Sequence, residues 1–81
     1  MHTTTLHIYS LHGSLFEGPV ISVSLPTDDG EITVLKDHAP IATSLHKGII
    51  KITTPEKINE MSITSGFAHI DGASIILLVN E

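Results

Sequence analysis

The 81-residue chain has no cysteine, no arginine and no tryptophan. Without cysteine there is no disulfide and no thiolate metal site, and cysteine usage says nothing about redox compartment. Without arginine the usual bidentate clamp for phosphate is missing. Four lysines stand against nine carboxylates and form no basic stripe, which argues against nucleic acid as a partner. No glycine-rich loop with its lysine is present, so nucleotide phosphate chemistry is not expected. The longest purely apolar run is Ile75 to Val79. That is far short of the roughly 20 residues a spanning helix needs, and no basic-plus-apolar leader precedes it. Contact with a membrane is expected only through something that spans one. The length suits one small domain over residues 1–81, which would bury about 60–65% of the surface of its unfolded chain.

What the sequence does have is branched side chains. Ile, Val and Thr fill 25 positions and Ala only four. Branched residues suit a pleated surface and lose rotamer freedom in helices. Turn signals recur at His12-Gly13, Gly18-Pro19, Asp28-Asp29-Gly30, Lys36-Asp37, Lys47-Gly48, Thr54-Pro55, Ser65-Gly66 and Asp71-Gly72. The spacing predicts an all-β chain, a small two-sheet β-sandwich. Strands are expected near Thr4–Ser10, Ser14–Glu17, Val20–Leu25, Gly30–Leu35, Ile41–His46, Gly48–Thr53, Lys57–Thr64, Ser65–Ile70 and Ala73–Asn80. In the third, period-two alternation puts Ile21, Val23 and Leu25 inward and Val20 and Ser22 outward. Asp71-Gly72 reads as a two-residue hairpin loop, with Ile70 opposite Ala73 and Ala68 opposite Ile75. Ile75–Leu78 and Ile49-Ile50 are apolar on both faces of their strands, so one face needs cover from outside the core.

Candidate chemistry is sparse. The six histidines show neither H-x-H nor HExxH spacing, and zinc takes three or four converging ligands. His7 shares a strand face with Tyr9, opposite Leu6 and Ile8, and should face out. Ser14, His38 and Asp37 supply the residue types of a triad, but no strained nucleophile turn accompanies them. Asp28, Asp29 and Glu31 supply paired carboxylates of the kind used on sugars. The aromatics that line such clefts are limited to Tyr9, Phe16 and Phe67. D-D-G-E is too short for an EF-hand loop. A polar hairpin tip accounts for this stretch better than catalysis does.

The order of several short motifs carries more. Phe16-Glu17-Gly18 is followed by Ser22–Leu25 leading into Asp29-Gly30-Glu31. Then come His38-Ala39-Pro40, Gly48 and Ser65-Gly66-Phe67 before a closing aliphatic strand. In this order and spacing, from about Thr5 to Val79, the chain resembles the N-terminal domain of the epsilon subunit of the F-type ATP synthase. Two positions depart from that pattern. Thr33 stands where a second glycine is common, and Lys36-Asp37 stands where Pro-Gly is common. Asp37 can still turn the chain, since short polar residues tolerate left-handed backbone. The usual family member continues into a helical hairpin, which this chain does not include; it is either one domain of a longer protein or a naturally short subunit.

The resemblance implies a β-sandwich without catalytic residues, cofactor or metal. It implies a place in the rotating central stalk, between the gamma subunit and the c-ring, peripheral to the membrane on the catalytic-head side, which is cytoplasmic in bacteria. Such a subunit helps couple proton flow to ATP synthesis. Residue by residue, Asp28, Asp29 and Glu31 would meet the c-ring. Ser10, His38, Ala39, Pro40, Ile41, Thr43 and Leu45 would meet gamma. Ser65-Gly66-Phe67 reads as fold, with glycine for a bend and phenylalanine for core. The rival function is a small ligand- or carbohydrate-binding sandwich.

Overall fold

The computed structural model describes residues 2–81, and among them the regular structure is all strand. The nine strands are β1 (Thr4–Ser10), β2 (Gly13–Val20), β3 (Ser22–Thr27), β4 (Gly30–Leu35), β5 (Ile41–Leu45), β6 (Gly48–Thr53), β7 (Ile58–Ile63), β8 (Ser65–Ile70) and β9 (Ser74–Asn80). They form two layers. One runs β2-β1-β9-β8-β5; the other holds β4, β3, β6 and β7, with β3 between β4 and β6. A single residue pair, Thr27 with Leu45, joins the layers into one curled sheet. Inside the first layer β1 and β9 run parallel, Leu6 beside Ile75 and Ile8 beside Leu77.

The inner faces supply one aliphatic core. Leu6, Ile8, Ala68, Ile70, Ile75 and Leu77 come from the first layer, and Val23, Leu25, Val34, Ile50 and Ile52 from the second. All are essentially inaccessible to water. Burying a side chain of this size contributes about 1.5–3 kcal/mol. No buried side-chain polar atom among the described residues lacks a hydrogen-bond partner.

Several local expectations are corrected. Gly18-Pro19 is no turn: Gly18 pairs with Leu6 and Pro19 with Thr5, so β2 runs on to Val20. Pro19 is tolerated because β2 is an edge strand, where its missing N–H faces solvent. The chain turns instead at Ile21, which lies between strands and donates its N–H to Thr53 O at 2.7 Å. That turn restarts the alternation. Val20 is therefore buried, Ile21 only half-buried, and Val23 and Leu25 lie inward as expected.

The β8–β9 loop is longer than expected. Ile70 pairs with Ile75 and Ala68 with Leu77, a shift of two residues that leaves the inward set unchanged. Neither Asp71 nor Gly72 has a positive φ. The Asp71 carboxylate closes the loop itself, accepting from Ala73 N–H at 2.8 Å and Ser74 N–H at 2.9 Å. Those two bonds hold its pKa below the ordinary 3.8. A depressed folded-state value means the stabilisation is present above the unfolded pKa and lost as pH falls through the folded one. Asp71→Asn keeps an acceptor oxygen without the charge. Its urea midpoint should therefore fall less than that of the wild type between about pH 5 and about pH 2.5; equal acid sensitivity would remove Asp71 from the account.

Candidate functional site

The β-pairings sort the loops into two ends. Thr27 pairs with Leu45, Leu45 with Gly66 and Gly66 with Val79, while Tyr9 pairs with Leu78. The β1–β2, β3–β4, β5–β6 and β7–β8 connections therefore share one end. The β4–β5 and β8–β9 connections lie at the other, since Ile41 pairs with Ile70 and Ile70 with Ile75.

Asp28, Asp29 and Glu31 fall at the first end, all exposed. Asp28-Asp29 is a tight loop between paired Thr27 and Gly30. Neither aspartate has a positive φ; the left-handed residue is Gly30, at φ 104°. Glycine takes that conformation without steric cost. The buried Thr27 hydroxyl ties the loop, donating to Gly30 O at 2.6 Å and accepting from Asp29 N–H at 3.2 Å. These two bonds fix the loop from within, and the three carboxylates stay exposed.

His38, Ala39 and Pro40 fall at the opposite end, in the β4–β5 connection. Asp37 turns the chain there at φ 64°, the only non-glycine residue with positive φ among the described residues, as its place at the usual glycine position requires. His38 donates its backbone N–H to Leu35 O at 3.2 Å, and its Nδ1 lies 2.8 Å from Ala39 O. Ser14, in β2 beside Tyr9, is at the other end of the molecule from His38 and Asp37, so no triad forms. Ser10 closes β1 at the acidic end, its Oγ accepting from His12 N–H at 3.0 Å.

Along β5 the side chains alternate. Ile41 and Thr43 are half-buried, and Leu45 is core at 3% exposure. Leu45 can shape a contact only through its backbone and packing; the outward positions of β5 are Ala42 and Ser44.

Those outward positions lead to residues the sequence reading missed. On the outer face of the first layer the register makes one row of Tyr9, Leu78, Phe67 and Ser44. A second row holds Glu17, His7, Ile76, His69 and Ala42. Tyr9, Phe67 and Leu78 are 38%, 44% and 53% exposed, and Leu11 in the adjoining turn is 94% exposed. Phe67 is therefore surface, not core. Gly66 is no bend: it sits within β8, where a Cβ would lie 2.6 Å from Leu78 O. The pattern that could have exposed Phe67 is its parity. It lies one residue before inward Ala68, and Leu78 one before inward Val79.

Shallow grooves flank this face. One is lined by Tyr9, Leu11 and Leu78, the other by Pro40, Ala42 and His69. Ser10 and Pro40 lie at diagonal corners of the layer, and a surface that touches both must cross β9 and β8. Among the described residues, no three His, Asp or Glu side chains gather as a metal site would need.

Fold and surface together define a small β-sandwich with an apolar row across one outer face and an acidic tip. The chain belongs to the ATP synthase delta/epsilon chain β-sandwich domain family, whose sequence model matches residues 3–81. It is 38% identical over 79 residues to the chloroplastic ATP synthase epsilon chain of Chara vulgaris, covering 98% of this chain and 59% of that one. It is 39% identical over 80 residues to the corresponding chain of Medicago sativa, covering 98% and 58%. The chain thus spans a little under three fifths of the length of these relatives. Its fold is similar to a chain of the Euglena gracilis mitochondrial ATP synthase OSCP/F1/c-ring structure, with TM-score 0.91, 23% identity and coverage of 98% and 51%. It is also similar to a chain of the Tetrahymena thermophila central stalk/c-ring structure, with TM-score 0.82, 11% identity and coverage of 99% and 65%.

Proposed function

We propose that this chain is the sandwich module of a central-stalk rotor subunit of an F-type ATP synthase. It joins the gamma subunit to the c-ring and helps couple proton translocation to ATP synthesis. It carries out no bond chemistry. It belongs on the catalytic-head side of the coupling membrane, held there through the complex; no helix of the described residues is long and apolar enough to cross a bilayer.

The observation that carries this reading is the apolar row Tyr9–Leu78–Phe67 on a sheet face of a delta/epsilon-family sandwich. Contiguous exposed apolar surface marks an interaction site. Gamma would lie across this face, reaching Ser10 at one corner and His38, Ala39 and Pro40 at the other, with Ile41, Thr43 and Leu45, on the inward side of β5, supporting from beneath. The c-ring would meet the tip of Asp28, Asp29 and Glu31. Three carboxylates at one hairpin repel each other and add nothing to folding, so their placement favours an opposite charge from outside.

Binding to c-ring-containing membranes tests the tip. Exposed ion pairs are worth about 0–1 kcal/mol each, so the tip tunes docking and does not hold the rotor alone. Wild-type binding should weaken with salt as the Debye length shortens to about 10 Å and below. A variant with Asp28→Asn, Asp29→Asn and Glu31→Gln should bind more weakly at low salt and respond less to salt, with gamma binding unchanged. An unaltered affinity and salt slope would reduce the tip to a solvated turn.

A further inference from the structure

Building on the gamma contact just described, we propose that docking on the outer face of the β2-β1-β9-β8-β5 layer expels protons from His7 and His69. The face then holds its partner at neutral pH and loosens in acid.

The two imidazoles flank one apolar residue. His7 and His69 are both cross-strand partners of Ile76, which places them two strand spacings apart, about 10 Å. Beside them runs the row of Tyr9, Leu78 and Phe67. His7 stacks on Tyr9 with ring centroids 6.1 Å apart and an interplanar angle of 11°. The Tyr9 hydroxyl lies 3.5 Å from its Nδ1, and Glu17 Oε2 lies 3.2 Å from the same nitrogen. His69 stands exposed on β8, between the outward positions of β9 and β5.

Few other charges face this surface. From β2 there is Glu17; from β1, Tyr9 besides His7 itself. β9 presents Ser74, Ile76, Leu78 and Asn80, and β5 presents Ala42 and Ser44, none of which titrates. On β8 the other outward residues are Ser65 and Phe67, and the adjoining loop carries Asp71. No lysine is among them. His7 and His69 are thus the groups within this face able to become cationic; His12, in the β1–β2 turn, and His38, at the Pro40 corner, lie at its margins.

A partner that covers the apolar row strips water from both rings. Desolvation disfavours the charged form of an imidazole. Glu17 opposes this for His7, but it is well exposed on an edge strand, and pairs of that kind contribute little. Asp71 opposes it for His69, since its carboxylate keeps its charge and feels that ring, but it too is fully exposed, where such pairs contribute little. Desolvation therefore wins at both rings, and the neutral forms dock. Histidine changes charge between about pH 5 and 8, so the linkage operates in the physiological range.

Calorimetric titration of purified gamma subunit into this chain tests the idea. Wild type should release protons on binding, counted from two buffers of different ionisation heat, and should bind about tenfold or more weakly at about pH 5.5 than at about pH 8. H7Q and H69Q should each shrink that pH effect, and in an H38Q background, which removes the imidazole at the Pro40 corner, the double variant should hold its affinity within about threefold across the same range. A merely structural role would shift affinity equally at both pH values. Proton uptake on binding, or a double variant with the wild-type pH profile, would overturn the proposal; the proton count needs no variant, so it stands even if a substitution impairs folding. If wild type binds at neither pH, the gamma contact itself is wrong and the linkage falls with it.

Discussion

Leu78→Asp is expected to weaken gamma binding by about a hundredfold or more while leaving the sandwich folded. Leu78 is 53% exposed and central in the row between Tyr9 and Phe67. A carboxylate there, once covered by a partner, has no cation on the face to meet it. An unpaired charge in an apolar contact costs several kcal/mol, on top of about 1.5–3 kcal/mol for a lost aliphatic contact. In the free chain the same carboxylate stays in water, and such surface substitutions usually shift stability by about 0.5 kcal/mol or less. Ile49→Asp supplies the comparison. It is 51% exposed, on the outer face of the opposite layer. Affinity measured for both variants should drop only for Leu78→Asp. Equal affinity for that variant and the wild type would move the gamma contact off this face.

Gly66→Ala should destabilise the fold through the closest contact that a Cβ added at any of the glycines would make. Its Cβ would lie 2.6 Å from Leu78 O and 3.2 Å from Val79 Cγ1. The nearer atom is backbone of a central strand, paired on one side with β8 and on the other with β1. It cannot swing aside as a side-chain tip would. Overpacking typically costs about 1–3 kcal/mol and occasionally more. A chain this size has about 4–12 kcal/mol in total. Gly72→Ala meets nothing within 4 Å and has no positive φ to forbid it. It should be neutral or stabilise by up to about 1 kcal/mol through the unfolded state. Urea melts of the two variants should move in clearly different ways, and a Gly66→Ala melt that overlays the wild type would mean the β8–β9 approach is looser than it stands here.

The strands are legible in the sequence because aliphatic residues alternate between turn-forming ones. Thr4–Ser10, Gly30–Leu35, Gly48–Thr53 and Ser65–Ile70 fall where the pattern puts them. The failures share a cause. Gly18-Pro19 has turn chemistry, yet edge pairing with β1 overrides it. Asp71-Gly72 has the residues of a tight two-residue loop, yet the Asp71 carboxylate caps a longer one. Local composition names which residues can turn, while the partner strand decides whether they do. Asp37 shows the opposite case: a missing glycine at a left-handed position was answered in advance by a residue that tolerates it.

The acidic tip is equally legible, since three carboxylates around one glycine can hardly be buried. The apolar face is only half legible. Ile75–Leu78 announces two-sided apolarity, but Phe67 and Leu78 join into a row only when β8 and β9 are set in register. The shift of two residues in that hairpin is what the sequence could not supply. Its effect is to place Phe67, and not Ser65, beside Leu78.

The parallel pairing of β1 with β9 bears on how the chain reaches this state. Leu6 and Ile75 touch across almost the full length of the polypeptide, and the Thr4 hydroxyl reaches Ala73 O. β9 is interior to its layer, so neither β1-β2 nor β8-β5 has its neighbour until the last strand arrives. Closing so large a loop costs entropy before any contact repays it, and such topologies fold slowly. On a ribosome, everything through Asn80 would have to emerge before the layer could close. Until then the apolar faces of both strand pairs stay open to water and to each other's neighbours. The same geometry makes closure cooperative: once β9 inserts, both halves of the layer lock in one step, and the outer face proposed for docking, which spans all five strands, comes into being complete or not at all.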